Sequence, residues 1–338
     1  MALPLEPPIA PMLSKLTRTI PEGDQWLYEP KWDGFRAIVF RDGKDIQIIS
    51  RDGRDLVRYF PELLPVLADA LPNRVVVDGE VIIAGKDGLD FGALLQRIHP
   101  ADSRVRMLAE RTPASFVVFD VLALGSKNLL DVPFEKRRAE LAKKFADGTT
   151  LDVKKFDRVM LTPQTADRSE AEVWFDVVEK LGLDGLIAKD RSSTYQPGKR
   201  DMIKIKRQRT LDCVVAGYRL AKSGDGVGSL LLGVYQGDVL QYVGHTSSFK
   251  GAERKRLLAE LDKYKGEGEE GFGAGRSPGG ASRWAKANEK EWVSLRPELV
   301  CEVSYDKLQG DRIRHATTFI RWRDDKKPEE CTFDQFET

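Results

Sequence analysis

The 338-residue chain has three cysteines, Cys213, Cys301 and Cys331, and three histidines, His99, His245 and His315, all far apart. With no CxxC pair among them, neither a structural zinc site nor a disulfide framework is expected, and a reducing compartment fits best. No apolar run reaches membrane-spanning length, which argues against a membrane anchor. The proline-rich start, Met1 to Pro11, lacks a basic stretch followed by an apolar one, so no signal peptide is expected and the cytoplasm is the default location. An excess of one charge is missing too: 54 Lys+Arg against 53 Asp+Glu leave a net charge of +1. Any polyanionic partner must therefore be argued from local clusters.

What is there is ordinary for a globular protein: 41% hydrophobic and 32% charged residues, in a chain long enough for two domains. Up to about residue 210 strand-like and helix-like stretches alternate. Arg36 to Phe40 and Ile46 to Ser50 flank Asp42-Gly43 and read as a hairpin, while Arg74 to Ile83 and Ser115 to Leu122 read as buried strands. Pro133 to Ala146 reads as a helix. Ser169-Glu170-Ala171-Glu172 reads as a capping box opening a second helix that ends at Leu181-Gly182. From 211 onward the pattern is mostly strands, with one helix at about 252 to 265, which fits a small β-barrel of the OB type. A loop with 7 glycines in residues 266 to 280 follows that helix.

The chemistry starts at Glu29-Pro30-Lys31-Trp32-Asp33-Gly34-Phe35-Arg36. A lysine attacks phosphorus only as the neutral amine, which burial and neighbouring cations favour. Gly34 permits a tight turn beside it, and Arg36 can hold a phosphate in bidentate fashion. A surface hairpin is the plainer meaning of such residues. Asp78-Gly79-Glu80 interrupts an apolar run; buried carboxylates there call for a partner or a hard cation, although Asp-Gly is also a hairpin signal. Phe119, at the end of FVVFD, can stack on a base, though core packing is the commoner use. Asp184-Gly185 leads into an apolar strand ending at Lys189, and Lys199 to Arg209 carries six basic residues. Lys204 and Lys206 share one face of their strand and suit a triphosphate; a guarded edge strand would look the same. Arg323-Asp324-Asp325-Lys326 closes the series.

In this order, these elements resemble the covalent nucleotidyltransferases, the superfamily of ATP-dependent DNA ligases, RNA ligases and mRNA capping enzymes. The match runs from EPKWDGFR at 29–36 through Ser50-Arg51, DGE at 78–80, FVVFD at 116–120, DGLIAK at 184–189 and Lys204-Ile205-Lys206 to Arg323–Lys326. In size and wording it is most similar to the bacterial, actinobacterial ligases of the C type. The resemblance implies an α+β fold: an adenylation domain of antiparallel sheets with flanking helices at 1–210, then an OB-fold β-barrel at 211–338. It implies catalytic roles for Lys31, Asp33, Arg323 and Lys326. Glu29, Arg36, Arg51, Glu80, Phe119, Lys189, Lys204 and Lys206 would bind the nucleotide, with Phe119 on adenine. Glu80 and Asp184 would bind Mg²⁺ or Mn²⁺. Ligases of this family usually carry Glu-Gly where this chain has Asp184-Gly185, so the shorter aspartate would reach a metal through water. The implied reaction seals 3′-OH/5′-phosphate nicks in double-stranded DNA, using ATP by way of AMP on Lys31. A monomer acting near the nucleoid, with repair-pathway proteins as further partners, is the matching expectation. An RNA ligase or GTP-dependent capping guanylyltransferase shares the lysine chemistry, and a non-catalytic nucleic-acid-binding module is the alternative of a different class.

Overall fold

A computed structural model describes residues 3–86, 88–145, 157–178, 180–266, 272, 291–306, 308–309, 311–313, 315 and 317–336. It divides into two compact units, Met1–Lys206 and Arg207–Thr338. The division falls slightly before the expected 210/211 because Arg209 and Thr210 already pair with Tyr305 and Ser304, on a strand of the second unit.

The first unit has two sheets. The smaller is built from β1 (Leu13–Thr17), β2 (Trp26–Pro30), β9 (Leu186–Asp190) and β10 (Arg200–Ile205), in the order β1-β10-β9-β2. The larger runs β4-β3-β5-β6-β7, from β3 (Phe35–Asp42), β4 (Asp45–Ser50), β5 (Arg74–Ile82), β6 (Ser115–Leu124) and β7 (Lys127–Asn128), with β8 (Val159–Leu161) beside β6. Most pairings are antiparallel, as expected; β1 with β10 and β6 with β8 are parallel.

Alternation along the strands explains why their sequences are apolar almost without interruption. Ala37, Val39, Val75 and Val77 face one core, shared with Leu63 and Leu67 of α1 (Leu63–Ala70) and Leu94 of α2 (Phe91–Gln96). Ile38, Phe40 and Val76, one residue out of phase, face a second core with Met12, Tyr195 and Met202. A sheet covered on both faces has no solvent side to keep polar. The same burial carries β5 straight through Asp78-Gly79-Glu80, so the hairpin alternative does not hold there.

Of the helices, α3 (Asp102–Arg111) connects to β6, and α4 (Phe134–Ala142) starts after Pro133, as expected. The capping box is displaced. Asp167, not Ser169, caps α5 (Arg168–Val177) by accepting from the Ser169 N–H, and the helix stops before Leu181. Asp167 is as good a cap as serine and stands two residues earlier, so it sets the first turn. The helix buries Ala171 and Trp174 against Tyr28, Leu186 and Ile205 of the smaller sheet.

The second unit is one sheet in the order β13-β12-β11-β14-β17, from β11 (Arg209–Leu220), β12 (Val227–Gln236), β13 (Val239–Thr246), β14 (Val293–Tyr305) and β17 (Thr318–Trp322). A small hairpin of β15 (Leu308–Gln309) and β16 (Arg312–Ile313) lies before β17, and α6 (Gly251–Leu261) packs Leu257 and Leu261 into the core. The expected barrel is not closed among the described residues. The outer strands meet at one rung, Thr246 with Thr317, where the Thr246 hydroxyl donates to the Thr317 carbonyl at 3.0 Å. β13 ends at Thr246 and β17 is only five residues long, and no second rung is present among the described residues. The glycine-rich loop at 266–280 lies almost entirely outside the described residues.

Thr246 is fully buried. Thr246→Val keeps its shape and removes the bond, leaving the Thr317 carbonyl unpaired, so a loss of about 1–2 kcal/mol is expected in denaturant unfolding.

Candidate active site

Lys31 follows β2 directly, and its backbone is tied on both sides to the turn before β9: its N–H donates to Gly185 O at 2.8 Å and its carbonyl accepts from Asp184 N at 2.9 Å. Two glycines make this possible. A Cβ on Gly34 would stand 2.2 Å from Val81 O, and one on Gly185, which has φ +114°, would stand 2.1 Å from Ile205 O. At Gly34, where a tight turn was expected and the chain bends, the glycine is needed for close approach to β5.

The Lys31 side chain reaches back to the same turn. Its Nζ donates to Asp184 Oδ2 at 2.5 Å, and Lys206 Nζ holds the same oxygen at 2.8 Å. Burial alone would raise the Asp184 carboxyl; Lys31 and Lys206 outweigh it and hold the group below its usual range. The structure thus gives Asp184 two lysine partners. The other expected metal carboxylate, Glu80, is separate from it and accepts from Gly34 N at 3.1 Å. Burial pushes Glu80 up to about 7, against the pull of Lys31 and Arg36. Such a carboxyl gains most from a cation brought to it.

Behind these groups lie two buried polar chains. Arg36 grips Asp78 with Nε at 3.0 Å and Nη2 at 2.6 Å; Tyr195 donates to Asp78 Oδ2 at 2.6 Å and accepts from Met12 N at 3.0 Å. Arg36 therefore spends its fork on Asp78 rather than keeping it for a phosphate, and its guanidinium sits 5.2 Å from the Phe119 ring centre. Lys189, expected to bind the nucleotide by its phosphates or ribose-phosphate edge, is buried: its Nζ meets Glu29 Oε2 at 2.8 Å and Phe119 O at 3.1 Å, and lies 5.0 Å from the Phe119 ring centre. Gln164 holds the other Glu29 oxygen at 2.8 Å. Sequence reasoning missed Tyr195 and Gln164. The only signal for Tyr195 was an amphipathic ring before the turn Gln196-Pro197-Gly198, since a buried tyrosine hydroxyl needs a partner.

The elements converge on a cavity of about 230 Å³ whose walls bring together Glu29, Lys31, Arg36, Arg51, Glu80, Phe119, Lys189, Lys204 and Lys206. Asp33 is not in that wall. It lines a neighbouring cavity of about 500 Å³, with Lys31, Arg51, Arg54, Tyr59 and Glu80. Arg323 and Lys326 belong to the second unit, where both engage Asp212 of β11: Arg323 Nη1 lies 2.9 and 3.0 Å from its two oxygens, and Lys326 Nζ 2.8 Å from Oδ2.

A hard cation of the Mg²⁺ type takes one or two carboxylates plus substrate oxygens rather than an all-protein cage. That describes Glu80, a half-buried carboxyl at the cavity wall, and among the described residues it has no ion pair of its own and no cluster of three or more metal ligands exists.

Comparison with known proteins agrees with this geometry. A family model described as the ATP dependent DNA ligase domain matches residues 7–206, and one described as the ATP dependent DNA ligase C terminal region matches residues 223–326. The whole chain aligns with 96% of DNA ligase C1 of Mycolicibacterium smegmatis at 50% identity. It aligns with 96% of DNA ligase C of Mycobacterium tuberculosis at 49% identity. A solved Lig E DNA ligase shares the fold, with a TM-score of 0.55 and 18% identity over 92% of this chain and 99% of that one. No helix among the described residues is long and apolar enough to cross a membrane. With family models matched in both units and relatives about half identical along the whole chain, the chain is an enzyme and belongs to the ATP-dependent DNA ligase family.

Proposed function

We propose that this ligase seals 3′-OH/5′-phosphate nicks in double-stranded DNA by way of AMP carried on Lys31, in the service of DNA repair. The observation that carries the reading is the position of Lys31 Nζ, on the wall of the 230 Å³ cavity and 2.5 Å from Asp184. Phe119 and the groups around it form the base end of that cavity, with the ring as the stacking surface. Lys204, Lys206 and Arg51 are the cationic lining for the phosphates.

In the first step Lys31 must give up a proton before its lone pair can attack. Asp184 Oδ2 already accepts a hydrogen bond from that amine, so it is the acceptor at hand. Lys206, on the same oxygen, keeps the carboxyl anionic and makes it a brief holder. The Nζ–P bond forms, the bond between the α- and β-phosphates breaks, and pyrophosphate leaves with Arg323 and Lys326 as its counter-charges. Glu80 would hold a Mg²⁺ or Mn²⁺ ion, which neutralises charge on the α-phosphate. Asp184 would join it only by releasing a lysine. A 5′-phosphate at the nick then takes the AMP from Lys31, and the 3′-OH attacks that phosphate and expels AMP. Asp33, Arg51 and Arg54 line the adjoining 500 Å³ cavity, the place for the nick's own phosphate.

Incubation with ATP and magnesium should add one AMP to the intact mass, and Lys31→Ala should abolish the addition. Sealing of nicked DNA should exceed that of nicked RNA; the reverse result would assign an RNA ligase. Arg323→Ala and Lys326→Ala should each slow self-adenylation by about 10²–10³-fold, as loss of one charge-stabilising donor does, and spare sealing of a pre-adenylated nick.

Glu80 gives a pH test. Its folded value of about 7 against an unfolded 4.5 means that the metal-free native state holds the proton more tightly. That stability is present below 4.5 and is lost as pH rises through 7. Glu80→Gln should therefore match the parent near pH 4 and exceed it by roughly 1–3 kcal/mol at pH 8 in metal-free denaturant unfolding, while losing activity.

A further inference from the structure

Asp212 and Glu302 face each other across β11 and β14. Two carboxylates directly opposite on a sheet repel unless each is paired. Glu302 needs one partner and has Arg321, at 2.7 Å. Asp212 has two, Arg323 and Lys326, one cation more than neutralisation of one carboxylate requires. Lys326 spends one of its three N–H donors on that contact. Asp325 takes the Nε and Nη2 edge of Arg323 at 2.8 and 2.9 Å, but Asp325 is 64% exposed, where water screens it.

Asp212 is also unusually well fixed for a residue near a strand end. The Gln335 side chain brackets its backbone, accepting from Asp212 N at 3.1 Å and donating to Asp212 O at 3.2 Å. The carboxylate itself is 12% exposed, whereas the two cations it holds are 19% and 22% exposed. Arg323 Nη1 meets both carboxylate oxygens and Lys326 Nζ meets Oδ2, so one anchored anion holds the two cations together.

We propose that Asp212 is a positioning residue for the pyrophosphate step: it holds Arg323 and Lys326 as a preformed two-cation fork, needed when Lys31 is charged by ATP and not when a nick already carrying AMP is sealed. The inference rests on the reading above that these two cations act on pyrophosphate. Asp212 touches no substrate. Without it Lys326 would lose this partner and Arg323 would keep only the exposed Asp325, so more of the cost of ordering the two side chains would fall on the binding of the triphosphate.

The test uses the full chain with Asp212→Asn, which keeps the shape and removes the charge. Self-adenylation at subsaturating ATP should fall 10- to 100-fold. The pyrophosphate concentration giving half-maximal discharge of AMP from Lys31 should rise about tenfold. Sealing of a pre-adenylated nick should stay within about twofold of the parent, which also reports that the variant is folded. Loss of both activities together makes Asp212 merely structural and overturns the proposal. Faster adenylation would make it a mask over the cations and overturns it equally. Arg323→Ala and Lys326→Ala, measured alongside, separate the two levels. If they adenylate normally, the first-step role of the cations is wrong; if they are slow and Asp212→Asn is not, the role given to Asp212 alone falls.

Discussion

One oxygen of Asp184 is shared by Lys31 and Lys206, and the smaller sheet of the first unit is arranged so that it can be. Lys31 follows the C-terminal end of β2, Asp184 precedes β9, and Lys206 follows the C-terminal end of β10. Because β9 runs antiparallel to both neighbours, these three chain ends lie at the same edge of the sheet. The ladder hydrogen bonds therefore set the spacing of the three charged groups. A register slip of one residue would turn each side chain to the opposite face.

The remaining buried charges do little for stability and much for placement. A buried pair such as Arg36–Asp78 or Lys189–Glu29 costs desolvation that its attraction only roughly returns. What it secures is direction. Tyr195 and Asp78 fix the plane of Arg36, Gln164 and Glu29 fix Lys189, and both cations then lie against the Phe119 ring. A ring held beside fixed cations has little freedom left to lose in the stacking proposed for it. The same logic governs Glu80, whose burial leaves it short of a positive partner until a substrate brings one.

Much of this was legible in the residues. Lys31, Glu80, Phe119 and the lysines at 204 and 206 sit in short stretches whose order identified the family, and the alternating apolar strands around them located both units. Partnerships were harder to read. Tyr195 and Asp78 are 117 residues apart in sequence, and no local pattern marks such a meeting. Lys189 and Arg36 were assigned to the nucleotide's phosphates or ribose-phosphate edge because a lysine or arginine in isolation reads as a free charge; only the fold shows that each already has a carboxylate. Barrel closure failed for a related reason. The mostly-strand character of the second unit was visible, but β17 was not, and whether the outer strands overlap depends on where β13 and β17 end.

Gly34 and Gly185 carry a consequence for how such an enzyme can diversify. Every other amino acid begins with a β-carbon, and neither position has room for one. Substitution is thus closed at the two points that bring Lys31 to its pocket. Side chains that merely line the neighbouring cavity, such as Arg54 and Tyr59, meet no such wall of backbone.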